Sequence, residues 1–216
     1  MRYELVIFDL DGTILDTLED LYLSVNHALR ENAYPERTLD EVRRFVGNGI
    51  RKLIERAVPD GCETAQIDAV HASFTAYYTE HCADHTAPYK GIEELLKDLR
   101  SVGMRTAVVS NKADYAVQSL CKEYFPGLFD AVAGEREGVR RKPAPDAVEA
   151  VLETLGIARE QAIYIGDSDV DIATAQNAGI PCISVDWGFR DTAFLIDHGA
   201  KLILSAPAEV GAYLLK

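Results

Sequence analysis

Six short apolar runs in this chain are continuous rather than alternating, and that restricts the possible folds more than any other feature. They are Leu5–Phe8, Thr106–Val109, Ala131–Ala133, Ala162–Ile165, Cys182–Val185 and Leu202–Leu204. A strand covered on one face alternates apolar and polar side chains, whereas one covered on both faces is apolar throughout. Between most of the runs lie stretches with helical spacing: Ile92–Leu99, Val117–Tyr124, Val148–Leu155 and Ile172–Ala178. Strands alternating with helices in this way predict an α/β fold with a parallel sheet flanked by helices.

One interval breaks the rhythm. From about Asp16 to Pro88 there is no convincing strand, only helical patterns near Leu18–Leu29, Ile50–Val58 and Ile67–His81. Asp16 and Thr17 are suited to cap the first of these. A gap of roughly seventy residues is too long for an ordinary crossover. The expected organisation is a Rossmann-like parallel-sheet core, residues 1–15 and 88–216, with an all-helical domain, residues 16–87, inserted after the first strand. Its hinges are expected near Ile14–Thr17 and His81–Gly91.

The chain has 216 residues, 48% of them hydrophobic and 26% charged, a globular balance rather than a disordered one. With 22 Lys+Arg against 35 Asp+Glu, its net charge of −13 repels nucleic-acid backbones and anionic membranes. Local cations or a metal ion can still invert the field inside one cleft, so a small anionic substrate is not excluded. Cys62, Cys82, Cys121 and Cys182 show no CxxC spacing and read as free thiols in a reducing compartment. The apolar run at the N-terminus is too short for a secretory leader, and no run approaches the roughly 18 apolar residues of a membrane span. The expectation is a cytoplasmic protein.

Four segments carry chemistry. The first strand ends in Asp9-Leu10-Asp11-Gly12-Thr13, and two carboxylates two residues apart on an extended chain share a face. They sit where open α/β sheets place ligands, and Gly12 allows a sharp turn there. The second strand ends in Val109-Ser110-Asn111-Lys112, a hydroxyl and an amide that could equally cap the following helix. Arg140-Arg141-Lys142-Pro143-Ala144-Pro145 is a cationic cluster stiffened by two prolines, or a solvated loop. A buried strand then runs into Gly166-Asp167-Ser168-Asp169-Val170-Asp171. Acidic oxygens converging from two strand ends suit Mg²⁺.

In this order and spacing, the four segments resemble the signature motifs of the haloacid dehalogenase-like superfamily, and the helical insert sits where that superfamily carries a cap domain. The resemblance implies that Asp9 is a nucleophile forming an aspartyl-phosphate and that Asp11 is the general acid/base. Ser110 and Lys142 would hold the phosphoryl group, with Asn111 beside it. Asp9, Asp167 and the Asp11 carbonyl would bind Mg²⁺, supported through water by Asp171. An acid two residues after the nucleophile favours phosphate esters over carbon–halogen bonds within the superfamily.

In the insert, Gly47-Asn48-Gly49 before a helix can turn backbone amides toward an anion, with Arg56 about two turns further on; the alternative is a tight turn with solvated Arg51, Lys52 and Arg56. The string is similar to the cap loop of phosphoglycolate phosphatases, which implies a small carboxylated phosphate ester as substrate. The alternatives are a phosphosugar mutase, a phosphatase for sugar phosphates, nucleotides or pyrophosphate, and a regulatory module on a disabled enzyme fold. The last would require a broken catalytic position, and Asp9, Asp11, Lys142 and Asp167 are all present. The expected partner is a small phosphate ester, with the chain acting as a monomer or homodimer. His81 and His85 read as a solvated helix end, and Trp187, with Gly188 and Arg190, as cover for the core edge in preference to a cleft lining.

Overall fold

The structure, a computed structural model, describes residues 2–47 and 49–216. The chain forms β1 (Leu5–Phe8), leaves it through β2 (Leu15–Asp16), and then builds α1 (Leu18–Glu31), α2 (Leu39–Phe45), α3 (Ile50–Ala57) and α4 (Thr64–His81). After β3 (Ala87–Pro88) helices and strands alternate. They are α5 (Ile92–Ser101), β4 (Arg105–Ala113), α6 (Asp114–Tyr124), β5 (Ala131–Glu135), α7 (Asp146–Leu155), β6 (Ala162–Gly166) and α8 (Asp169–Ala178). The chain ends with β7 (Cys182–Val185), α9 (Thr192–Asp197), β8 (Ile203–Leu204) and α10 (Pro207–Leu214). Contacts divide it into two compact units, Met1–Leu15 with Pro88–Lys216, and Asp16–Ala87.

The first unit holds a six-stranded sheet in the order β5-β4-β1-β6-β7-β8, with its neighbours parallel. β1 lies inside it, with Leu5 in register with Arg105 on one side and Ala162 on the other. On one face Leu5, Ile7, Ala107, Val109, Ala162 and Tyr164 pack with Val148, Val151 and Leu152 of α7 and Ala175 and Ala178 of α8. Val6, Phe8, Val108, Ile163 and Ile165 alternate to the other face and are equally buried. Burial on both faces is what made these runs continuous. The strand order reverses at β1, so the loops after β1, β4 and β6 diverge and leave a crevice at their carboxyl ends.

The second unit is helical. Leu18, Leu21, Val25, Ala28 and Leu29 form the buried stripe of α1, which packs chiefly on α4 through Val70, Phe74 and Tyr78. α2 begins with a reciprocal capping box between Thr38 and Glu41. Asp16 Oδ1 accepts from the Leu18 amide at 3.3 Å, whereas the Thr17 side chain makes no capping bond. The helices α2, α9 and α10, absent from the sequence reading, bury only Val42, only Leu195, and Val210 with Leu214, too few apolar positions to show a period. β2 and β3, also unanticipated, are two residues each and pair as a separate small sheet.

Asp20 is the buried polar centre of this unit. It accepts from the His85 amide at 2.9 Å, the Thr86 amide at 2.8 Å and the Thr86 hydroxyl at 2.7 Å, and its Oδ1 lies 2.9 Å from His85 Nδ1. His85 is therefore not simply a solvated helix end. The hydrogen bond to Asp20 outweighs desolvation and raises its pKa above the ordinary imidazole value. His81 pairs separately with Asp84 at 2.7 Å. Asp20→Ala would take away the carboxylate that accepts from the His85 and Thr86 amides, while the Thr86 hydroxyl keeps Cys82 O at 3.1 Å. It is expected to lower unfolding stability by about 3 kcal/mol, and Asp20→Asn, which keeps one acceptor oxygen, by less; urea denaturation of both variants checks this.

Candidate active site

The crevice begins at Asp9. Its amide extends the β1–β6 ladder by donating to Ile165 O at 2.9 Å, and its Oδ1 accepts from the Leu10 amide at 2.7 Å. Leu10 O then accepts from the amides of Thr13, Ile14 and Leu15, at 3.3, 3.0 and 3.0 Å, folding the loop tightly back. Gly12 has φ +84°, where an L side chain is strained, and a Cβ there would overlap the Asp167 carboxylate.

Lys142 enters this crevice from the loop between β5 and α7. Its Nζ lies 2.9 Å from Asp9 Oδ1, 2.7 Å from Asp171 Oδ1 and 3.0 Å from the Tyr164 hydroxyl. Asn111 holds the Lys142 backbone at both amide ends: Asn111 Nδ2 donates to Lys142 O at 3.0 Å, and Lys142 N donates to Asn111 Oδ1 at 2.8 Å. The neighbouring cations turn elsewhere, with Arg140 on Asp146 at 2.7 Å and Arg141 on Glu135 at 3.8 Å. Asp171 is set by local helix chemistry. Ser168 and Asp171 form the capping box of α8, so Asp171 Oδ2 accepts from the Ser168 amide and hydroxyl at 3.1 and 2.6 Å.

Asp167 follows β6 and is 1% exposed. Thr13 Oγ1 donates to its Oδ1 at 3.3 Å, and the Phe189 amide to its Oδ2 at 2.7 Å. The loop after β7 therefore belongs to the site wall. Trp187 Nε1 donates to Thr13 O at 3.0 Å, tying that loop to the one after β1, so Trp187 stands beside the crevice, the other of the two places its sequence position allows. A Cβ on Gly188 would overlap both Gly12 O and the Asp167 carboxylate. Local sequence pattern cannot show this contact, because it joins loops 174 residues apart.

Asp11 turns away from the other acids toward Lys112, whose Nζ lies 3.1 Å from Asp11 Oδ1 and whose side chain is 7% exposed. Ser110 is buried, and its Oγ accepts from the Lys112 amide at 3.2 Å. In the helical unit Gly47 and Gly49 have φ of +121° and +86°, and Gly49 caps α3. Arg56 Nη1 donates to Phe45 O and Gly47 O at 2.6 and 3.1 Å, so this guanidinium braces the loop backbone rather than standing free. Asn48, the middle residue of that loop, lies outside the described residues.

Asp9, Asp167 and Asp171 each present an oxygen within 4.8 Å of the others. Burial, and then repulsion from Asp171, pushes Asp9 up to about 7 from 3.8. Burial with Asp171 and Asp9 likewise holds Asp167 well above the usual carboxylate range. Burial alone would lower Lys142, but Asp171 and Asp9 outweigh it and keep the ammonium charged. One ammonium among three crowded acids leaves excess negative charge in hard oxygen donors, a set that fits a divalent cation.

A crevice of acids and lysine at the strand-order reversal of a parallel sheet is the site of an α/β enzyme that handles a charged small molecule. The model of the haloacid dehalogenase-like hydrolases matches residues 6–185, and the chain belongs to that family. It is 35% identical over 197 residues to a phosphoglycolate phosphatase of Mesorhizobium japonicum, covering 88% of this chain and 86% of that one. It is 31% identical over 214 residues to one from Pseudomonas syringae pv. tomato, covering 96% and 75%. A crystal structure from Lactobacillus delbrueckii subsp. bulgaricus, itself assigned by inference as a phosphoglycolate phosphatase, superposes with a TM-score of 0.95 at 37% identity over 99% of both chains. This protein is a phosphoric monoester hydrolase. Among its described residues, no helix is long and apolar enough to cross a membrane.

The raised acids give a thermodynamic expectation. With a folded pKa of about 7 against 3.8 unfolded, Asp9 binds protons more tightly in the folded state. The contribution of Asp9 to the stability of the metal-free protein therefore falls as pH rises through about 4 to 7. A cation competes with those protons, so adding Mg²⁺ is expected to raise Tm more at about pH 8 than at about pH 5. Thermal melts with Mg²⁺ and with chelator at both pH values check this, and an equal rise would mean that the acids are not the binding set.

Proposed function

We propose that this phosphatase hydrolyses a small carboxylated phosphate monoester of the phosphoglycolate type, with Asp9 as nucleophile, Asp11 as general acid/base and Mg²⁺ as cofactor. The observation that carries the reading is the Lys142 ammonium, 2.9 Å from Asp9 Oδ1 in a buried crevice. It offsets the repulsion between an attacking carboxylate and a phosphate dianion. The named relatives support the substrate class.

Asp9 attacks phosphorus and the ester P–O bond breaks, while Asp11 in its acid form gives its proton to the departing alkoxide. Water then attacks the aspartyl-phosphate and passes its proton to Asp11. The P–Oδ bond breaks, releasing inorganic phosphate and restoring Asp9. Proton transfer of this kind contributes about 10²–10⁴ in rate. Lys112, beside Asp11 Oδ1, orients the proton carrier. Ser110 and Lys142 hold phosphoryl oxygens, and Asn111 acts through its two bonds to the Lys142 backbone. Asp9, Asp167 and the Asp11 carbonyl would hold Mg²⁺, backed by Asp171. The bound ion would supply Lewis-acid neutralisation of the phosphoryl oxygens.

Asp9→Asn is expected to abolish turnover and covalent labelling. Asp11→Asn should lose less with a nitrophenyl ester, whose leaving group needs no proton, and should accumulate phosphoenzyme. Rapid-quench labelling with a radioactive phosphate ester reads both outcomes; label trapped by Asp9→Asn and never by Asp11→Asn would reverse the two roles. In a phosphate-release screen with Mg²⁺, phosphoglycolate should give the highest kcat/KM, above sugar phosphates, nucleotides and pyrophosphate. A higher value for any of those would replace the substrate class.

A further inference from the structure

Lys142 has three N–H donors and three acceptors within reach: Asp9 Oδ1 at 2.9 Å, Asp171 Oδ1 at 2.7 Å and the Tyr164 hydroxyl at 3.0 Å. The hydroxyl is the one neutral partner. Tyr164 lies in β6, is 0% exposed, and is immobilised within the packing beneath the sheet. Its single proton is directed to Val109 O at 3.0 Å, with Asp171 Oδ1 as the longer alternative at 3.3 Å. Either choice leaves an oxygen lone pair for the ammonium. Val109 stands where the β4–β5 register shifts, between Val109 and Ala113, so at the break in the ladder a side chain takes up its carbonyl.

We infer that Tyr164 is a positioning residue for phosphate binding. With Asp171 it fixes two of the three Lys142 N–H bonds, so that the third points toward Asp9 and the phosphoryl group brought to it. This rests on the proposed role of Lys142 as a phosphoryl-binding residue. Of the three acceptors, Asp9 is the one whose bond to Lys142 is given up when phosphate arrives. Tyr164 and Asp171 are anchored from behind, Tyr164 by Val109 and Asp171 by the Ser168 capping box. A flexible four-carbon stem would otherwise leave the ammonium free to follow Asp171 alone.

Tyr164→Phe removes the hydroxyl and keeps the ring. The test is a double-mutant cycle with Lys142→Met, reading the affinity for inorganic phosphate by calorimetry in saturating Mg²⁺, with a thermal melt of each variant. Lys142→Gln replaces Lys142→Met if the latter melts too low to titrate. Tyr164→Phe is expected to weaken phosphate binding about tenfold on its own and to have no further effect once Lys142 is removed. Equal weakening in both backgrounds would make Tyr164 merely structural, and no weakening in either would also overturn the inference. If removing Lys142 leaves phosphate affinity unchanged, the phosphoryl-binding role of Lys142 fails and the assignment of Tyr164 falls with it.

Discussion

Burying Asp9, Asp167 and Asp171 around the single ammonium of Lys142 is a costly arrangement, since each group loses its water and the acids repel one another, which is why Asp9 and Asp167 hold their protons more tightly than free carboxyls. Much of the first unit exists to make it tolerable. Amides of Leu10, Ser168 and Phe189 and hydroxyls of Thr13 and Ser168 supply the hydrogen bonds that water would have given. Those donors come from the loops after β1, β6 and β7, so the strands must lie side by side in that order. The clustered carboxylates would favour a cation, and through it the proposed phosphate ester, in a protein whose overall charge of −13 would repel one.

The sheet was legible in the sequence because burial on both faces leaves a plain mark. Leu5–Phe8 and Cys182–Val185 were read with the bounds they have in the structure. β4 was not, since it runs on through the buried Ser110 and the half-buried Asn111 and Lys112 to Ala113, and propensity counts those polar residues against a strand. α2 hid for a related reason: with Val42 its only buried residue, its signal was the capping box Thr38-x-x-Glu41 rather than a period. Capping chemistry also underlies Asp171, whose oxygens look available in sequence and are both occupied in the fold.

The acids and the lysine of the crevice could be named from strand ends, but their division of labour could not. That Asp11 stands apart with Lys112, that Asn111 serves the Lys142 backbone, and that Tyr164 reaches the ammonium are all contacts between distant segments. Tyr164 reads in sequence as one more apolar strand residue, because its ring satisfies the core pattern and only its last atom is polar.

The near-contact of Gly188 with Gly12 O has a bearing on how such a protein can diverge. The loops after β1 and β7 meet across the end of β6, with the Trp187 indole bound to Thr13 and the Phe189 amide bound to Asp167. They form a closed arch with no slack. A methyl group at Gly12 or at Gly188 would meet the Asp167 carboxylate. New length and new chemistry are thus confined to the turns that take no part in the arch, and a lineage built on this scaffold would explore substrates by remodelling its insertions while the arch keeps its dimensions.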